Sequence, residues 1–297
     1  MRDAIAIAAG PLRAEIVPSL GGGLARFDRV DGGTPTPIFR PWPAEGTDDP
    51  NQLACYVLVP WSNRISGGGF PSGGRSHPLE PNCGMEPFPL HGNGWTSAWH
   101  VTAADAASAS LHLSADGPGP FRYDASLGYA LDAKALTMAL AVTNRAPTAL
   151  PYGLGFHPWL PRTAATRLQA PASAVWMEDS RHLPAGPASV ALPEAWNFSM
   201  PRALPARWIN NGFAGWDRRA RIAWPDRRLV LDVTASAALS TFILFSPGSD
   251  ADFFCFEPVS HPVDAHNLPG GPGGNGLAVL RPDESLSVEC RFSVEAS

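Results

Sequence analysis

Two titratable residues stand out because each sits in apolar sequence and is followed at once by proline. Residues 153–160 read GLGFHPWL, with His157 inside the run, and residues 252–258 read DFFCFEP, with Glu257 near its end. A residue before proline is pushed out of the α region into extended backbone. Both side chains are therefore aimed by a restricted main chain, which suits a proton-transfer group. Phe253, Phe254 and Phe256 precede Glu257, and burial among them would disfavour the carboxylate and move its pKa toward neutrality. An imidazole and a carboxyl group both tuned near pH 7 make an acid–base pair. Two more segments hold candidate binding groups: PWSNRISGGGF (60–70) carries Arg64, and PLHGNGW (89–95) carries His91. All four residues are expected at strand-to-loop transitions, where a rigid scaffold presents binding side chains.

Each residue taken alone has an ordinary structural reading. A strand-end histidine more often bonds a neighbour than a substrate, a glutamate before proline more often sits in a solvated turn, and a lone arginine is most often a surface residue. The functional reading rests on the set.

The elements that must position this set follow from composition. The 297 residues include 29 Gly and 32 Pro, which rules out a mainly helical chain. Alternating apolar runs at 110–115 (SLHLSA), 136–144 (LTMALAVTN), 228–236 (RLVLDVTAS) and 285–295 (SLSVECRFSVE) have the period of half-buried strands. Turn clusters at 116–120, 144–148 and 246–250 punctuate them. The expected fold is all-β, a large antiparallel β-sandwich or barrel formed by residues 1–297 as one domain.

The chain is 44% apolar, with 10 Trp and 14 Phe, ample for a packed core. A net charge of −5 with no basic block argues against nucleic acid and anionic membranes as partners. No run approaches the roughly 18 apolar residues of a membrane span, and the N-terminal stretch does not read as a signal peptide. Cys55, Cys83, Cys255 and Cys290 are scattered without a CxxC pair, as expected of reduced thiols in a cytoplasmic protein. No metal is expected, because the histidines near Glu257, His261 and His266, fit no familiar ligand spacing. The GGPGGNG stretch (270–276) lacks a following Lys-Ser/Thr or helix and is expected to be a flexible loop.

Taken in order, PWSNRISGGGF, PLHGNGW, GLGFHPW and CFEPVSHPVDAHN resemble the aldose 1-epimerase (galactose mutarotase-like) family, and the closing GLAVLRPDESLSVECRFSV resembles its last strands. The similarity runs from about residue 10 to the C-terminus. The resemblance implies a β-sandwich with a sugar site in a concave cleft and interconversion of the α and β anomers of a free aldose without a cofactor. It gives Glu257 the role of general base on the C1 hydroxyl and His157 that of general acid on the ring oxygen, with Glu257 ionised and His157 protonated at the start. Arg64, His91 and Asn63 become substrate binders. Trp61, Trp95 and Trp159 are candidates to stack on the sugar, as well as for core packing.

One departure stands out. The family's galactose enzymes hold a sugar hydroxyl with an aspartate, but the matching stretch here, INNGFAGWD (209–217), has Asn210 in that register and Asp217 as the nearest acid. Both are kept as binding candidates. Two other readings remain open: an epimerase of a phosphorylated hexose, for which Arg64, Arg75 and the 218–221 run would supply cations, and a non-catalytic sugar binder. The partner implied is a monosaccharide, and the protein is a monomer or homodimer.

Overall fold

The computed structural model describes residues 4–43, 46–84 and 86–296. Two large sheets dominate. In the first, the central strands run in the order Gly23–Asp31, Cys55–Leu58, Gly155–Pro161, Phe253–Val259, Thr241–Ser246 and Ile209–Ala214, with Ala174–Trp176 at one edge. Among the described residues the second sheet has nine strands, including Ser108–Asp116, Ala135–Asn144, Leu229–Ala235 and Ser285–Ala296. The pairings within both are antiparallel. A continuous core joins the sheets, drawing Val57, Phe156, Leu244 and Phe256 from one and Leu127, Leu140, Leu231 and Phe292 from the other. The all-β expectation therefore stands.

The four runs that alternate in sequence all fall in the second sheet. Its strands bury every second residue and expose much of the rest, as in the alternation along Arg122–Leu131. The central strands of the first sheet are different. Cys55–Leu58 is buried throughout, and Phe253–Val259 almost so. One face packs on the core, and the other is covered by loops that shape a cleft.

Two local expectations change. His157 and Glu257 lie inside strands rather than at their ends. Successive strand residues face opposite sides, so Phe254 and Phe256 point into the core and only Phe253 shares the face of Glu257. Residues 270–276 are not a featureless loop: Gly271–Gly274 forms one turn of α-helix. Among the described residues, no helix is long and apolar enough to cross a membrane.

Candidate active site

Strand register builds the site. Gly155 pairs with Val259 and Trp159 with Cys255, a register that sets His157 opposite Glu257. The flanking strands place Tyr56 opposite His157 and Ile243 opposite Glu257. One row along, Trp159, Cys255, Phe245 and Asn210 lie side by side. Prolines 158 and 258 bring no N–H, and pairing between their strands lapses at 156–158. Proline is normally kept out of central strands. Here both prolines fall where the ladder opens beside the two titratable residues.

His157 Nε2 lies 3.2 Å from Glu257 Oε1, with both side chains almost fully buried. Neither residue is otherwise satisfied: His157 Nδ1 and Glu257 Oε2 are buried without a protein partner. Burial raises the Glu257 pKa from the ordinary 4.5 to about 8, with Arg64 opposing the shift. Burial also lowers His157 from 6.5 to about 3, and the charge of Arg40 adds to this. Both groups are thus driven toward their neutral forms. Burial therefore opposes the resting carboxylate–imidazolium pair that the resemblance implies, while the proton count is the same, one for the two residues. Tyr56 and Trp159 hold the His157 ring, their centroids 4.4 Å and 5.4 Å away in near-parallel stacking. Trp159 is backed by the Arg40 guanidinium, 3.9 Å from its ring centre.

Two loops close over this row. Asn63 and His91 both take left-handed backbone, at φ 60° and 59°, a conformation that costs energy in a non-glycine residue. The Asn63 N–H donates to His91 Nδ1 at 2.9 Å. That fixes the remaining ring proton on Nε2, and burial holds the imidazole neutral, well below its ordinary pKa. Gly92 makes the His91 loop possible: at φ 67° it lies so close to the neighbouring strand that a Cβ would sit 2.3 Å from the Val59 carbonyl oxygen. Arg64 donates through Nε and Nη2 to both oxygens of Glu86, at 3.0 and 2.7 Å, and through Nη1 to Asn63 Oδ1.

The segment after Glu257 latches the Arg64 loop. His261 Nε2 accepts from the Ser62 N–H, and Asp264 accepts from both the N–H and the hydroxyl of Ser66. In the GLGFHPW motif, Gly153 leaves room for this, since a Cβ there would meet His261 at 2.2 Å. His261 and His266 are therefore buried structural groups, each depressed by burial.

The resulting cleft encloses about 200 Å³. That is room enough for one small polyol. His157, Glu257, Arg64, His91, Asn63 and Asn210 all line it. Asp217 does not. The strand that starts at Ile209 ends at Ala214, and Gly215 at φ 64° turns the chain away. This leaves Asp217 exposed in a separate depression with Arg219 and Asp232. Of the tryptophans, Trp159 lines the cleft, while Trp61 and Trp95 are buried in packing.

The sequence reading missed Tyr56, His182, Trp208 and Phe245, which with Asn51 and Leu90 complete the lining, and Glu86 and Glu178 behind it. It also missed Cys255. The ligand atoms of His157, Cys255 and Glu257 lie within 4.8 Å of one another, a set able to hold a metal ion. The Cys255 thiol is held well above its ordinary pKa by burial and by Glu257, so a metal would have to displace its proton.

Comparison with known proteins decides the family. Residues 3–293 match the family model for aldose 1-epimerase. The uncharacterized protein YphB of Escherichia coli K12 is 37% identical over 269 residues, covering 88% of this chain and 89% of its own. The chain belongs to the aldose 1-epimerase family. Its fold is that of carbohydrate epimerases. A candidate aldose 1-epimerase of Escherichia coli K12, solved as a crystal structure, superposes with TM-score 0.91 at 34% identity and 99% coverage of both chains. A galactose 1-epimerase from Lactobacillus acidophilus NCFM shares the fold at TM-score 0.77 and 16% identity, over 98% of this chain and 94% of its own.

Proposed function

We propose that this protein is an aldose 1-epimerase that interconverts the α and β anomers of a free, uncharged aldose. The observation that carries the reading is the buried His157–Glu257 contact, with an unpartnered oxygen and an unpartnered nitrogen, in a cleft the size of one sugar. The anomeric hydroxyl oxygen and the ring oxygen are bonded to the same carbon. The groups that exchange protons with them must also lie side by side, and the 3.2 Å contact meets that need.

The chemistry needs one proton on the pair. Burial favours that proton on Glu257, and it can pass to His157 across the contact. A sugar O1–H placed against Glu257 Oε2 stabilises the carboxylate by hydrogen bonding. Glu257 then takes the O1 proton while His157 gives its proton to the ring oxygen. The C1–O5 bond breaks and C1=O forms. The open chain rotates about C1–C2, and closure from the other face reverses both transfers. His91 Nε2–H and the two Arg64 N–H groups not engaged by Glu86 or Asn63 are placed to steady oxygens as charge moves.

A pH profile tests the one-proton state. Below about 3 both groups are protonated and no base remains; above about 8 both are deprotonated and no acid remains. Activity is expected to be flat through neutrality and to fall on the alkaline side with an apparent pKa near 8, a property of the pair. An alkaline limb near pH 6.5, the ordinary histidine value, would contradict this.

Arg64→Ala is expected to raise KM by roughly 10- to 100-fold, the scale of a lost charged hydrogen bond, with a smaller fall in kcat. Arg64 pulls the Glu257 pKa down, so the alkaline limb should also move to higher pH. Steady-state kinetics across pH reads both; a fall in kcat with KM unchanged would remove Arg64 from substrate binding.

The phosphorylated-hexose reading loses support from the site. Among the described residues, Arg64 is the one Arg or Lys lining the cleft, and Glu86 already engages it. Arg75 lies on the exposed strand Arg75–Pro78, and residues 219–221 belong to the second sheet. A non-catalytic binder would have no use for a buried, unsatisfied acid–base pair, which costs stability.

A further inference from the structure

The end of the cleft remote from His157 is organised by Glu178, a residue behind the lining. Glu178 Oε1 accepts from Trp208 Nε1 at 2.7 Å, and Oε2 accepts from Asn210 Nδ2 at 3.0 Å and His182 Nδ1 at 2.8 Å. All three donors line the cleft, and His182 is held at φ 62°. A carboxylate only accepts, so each neighbour must turn an N–H toward it. Asn210 keeps Oδ1 beside its second N–H, and His182 keeps Nε2, an acceptor whenever the ring is neutral. Trp208 adds ring surface, packed edge-on against Phe245. Asn210 lies two strands from Glu257, about 10 Å at ordinary strand spacing, so this wall meets the far side of a sugar whose anomeric carbon is at Glu257. The two ends are complementary in sign: N–H donors from His91 and Arg64 at the reacting end, acceptors backed by a carboxylate at the other.

Given the mutarotase reading on which this rests, we propose that Glu178 sets substrate specificity by making the remote wall an acceptor surface that selects two free sugar hydroxyls and rejects an anionic group there. Asn210 then acts toward the substrate as an acceptor. It needs no charge of its own, because the charge has moved one residue back.

The test uses the full chain and follows anomer exchange by NMR, first with D-glucose and D-galactose. The faster sugar is then compared with its 3-, 4- and 6-deoxy analogues and its 6-phosphate. A polar site left unpaired by a missing hydroxyl discriminates strongly, so wild type should use at least one deoxy analogue, and the 6-phosphate, at least about 10²-fold less well in kcat/KM. Glu178→Gln should raise KM about 10-fold or more, keep kcat within about 3-fold, and narrow the deoxy discrimination, the pattern of lost uniform binding. Asn210→Asp should also raise KM, because it sets like charges side by side. The double variant E178Q/N210D restores a donor–acceptor pair between positions 178 and 210 but turns an N–H toward His182 Nδ1, so it should recover part of the lost KM.

Equal use of deoxy analogues by wild type would overturn the proposal even if Glu178→Gln failed to fold. So would an unchanged KM in folded Glu178→Gln, or a double variant no better than the singles. If wild type accelerates no neutral aldose, it is the mutarotase reading that fails. Calorimetric binding of the same sugars, wild type against Glu178→Gln, then judges the wall by itself, and equal affinities would overturn it.

Discussion

Glu257→Gln is expected to lower kcat for anomer interconversion at least about 10²-fold, the scale of lost acid–base catalysis, with the fold intact. The change removes the group that, in the proposed reaction, exchanges a proton with the anomeric hydroxyl. The amide is nearly the same size, and its neighbours Tyr56, Ile243 and Cys255 need not move. The same variant should be more stable than wild type in alkaline solution. The Glu257 pKa is raised from 4.5 to about 8 in the folded protein. Its favourable contribution is therefore complete below about pH 4.5 and is lost as pH rises through 8, because the folded state resists ionisation. A glutamine has nothing to lose over that window. The melting-temperature gap between variant and wild type should widen from pH 5 to 8 and then level off. A gap that stays constant across this range would mean that Glu257 is not the buried, proton-holding group described above.

His157→Ala is the second large effect, again at least about 10²-fold in kcat. In the proposed reaction the imidazole supplies the proton for the ring oxygen and also receives the one that Glu257 holds at rest. Because the two residues work with one proton, their losses should not add. The double variant E257Q/H157A should be little worse than either single, as for groups that act as a unit. Single-turnover measurements on the three variants read this directly. Multiplicative losses would mean that the residues act in separate steps. The alanine also leaves a gap between Tyr56 and Trp159, so thermal melts should accompany the kinetics.

Much of this was legible in the sequence, and what was not has physical causes. The alternating runs announced the second sheet because its outer face is wet. The central strands of the first sheet are buried on both faces, so they carry no period-two signal, and the two proline-marked motifs pointed to them instead. Those motifs located His157 and Glu257 but misjudged their setting. Strand-to-loop positions were expected, whereas both residues lie mid-strand, where the ladder opens around the prolines. The burial of Glu257 came from its strand neighbours and the covering loops, since two of its three adjacent phenylalanines face the core. Tyr56 and Phe245 were invisible because they join the site through cross-strand register, which no local pattern reveals, whereas Cys255 shares the face of Glu257 two residues along the same strand and was read only as a buried thiol. Glu178 was hidden for a related reason: 32 residues separate it from the Asn210 amide it orients. Asp217 illustrates the opposite error, since nearness in sequence to Asn210 did not survive the turn at Gly215.

The most direct test of the central claim is polarimetry of freshly dissolved α-D-glucose and α-D-galactose, with wild type and with Glu257→Gln. Wild type is expected to speed the approach to anomeric equilibrium for at least one of them, while the variant at equal concentration leaves it near the spontaneous rate. Equal acceleration by wild type and variant, or none by a folded wild type with any neutral aldose, would contradict a His157–Glu257 mutarotase.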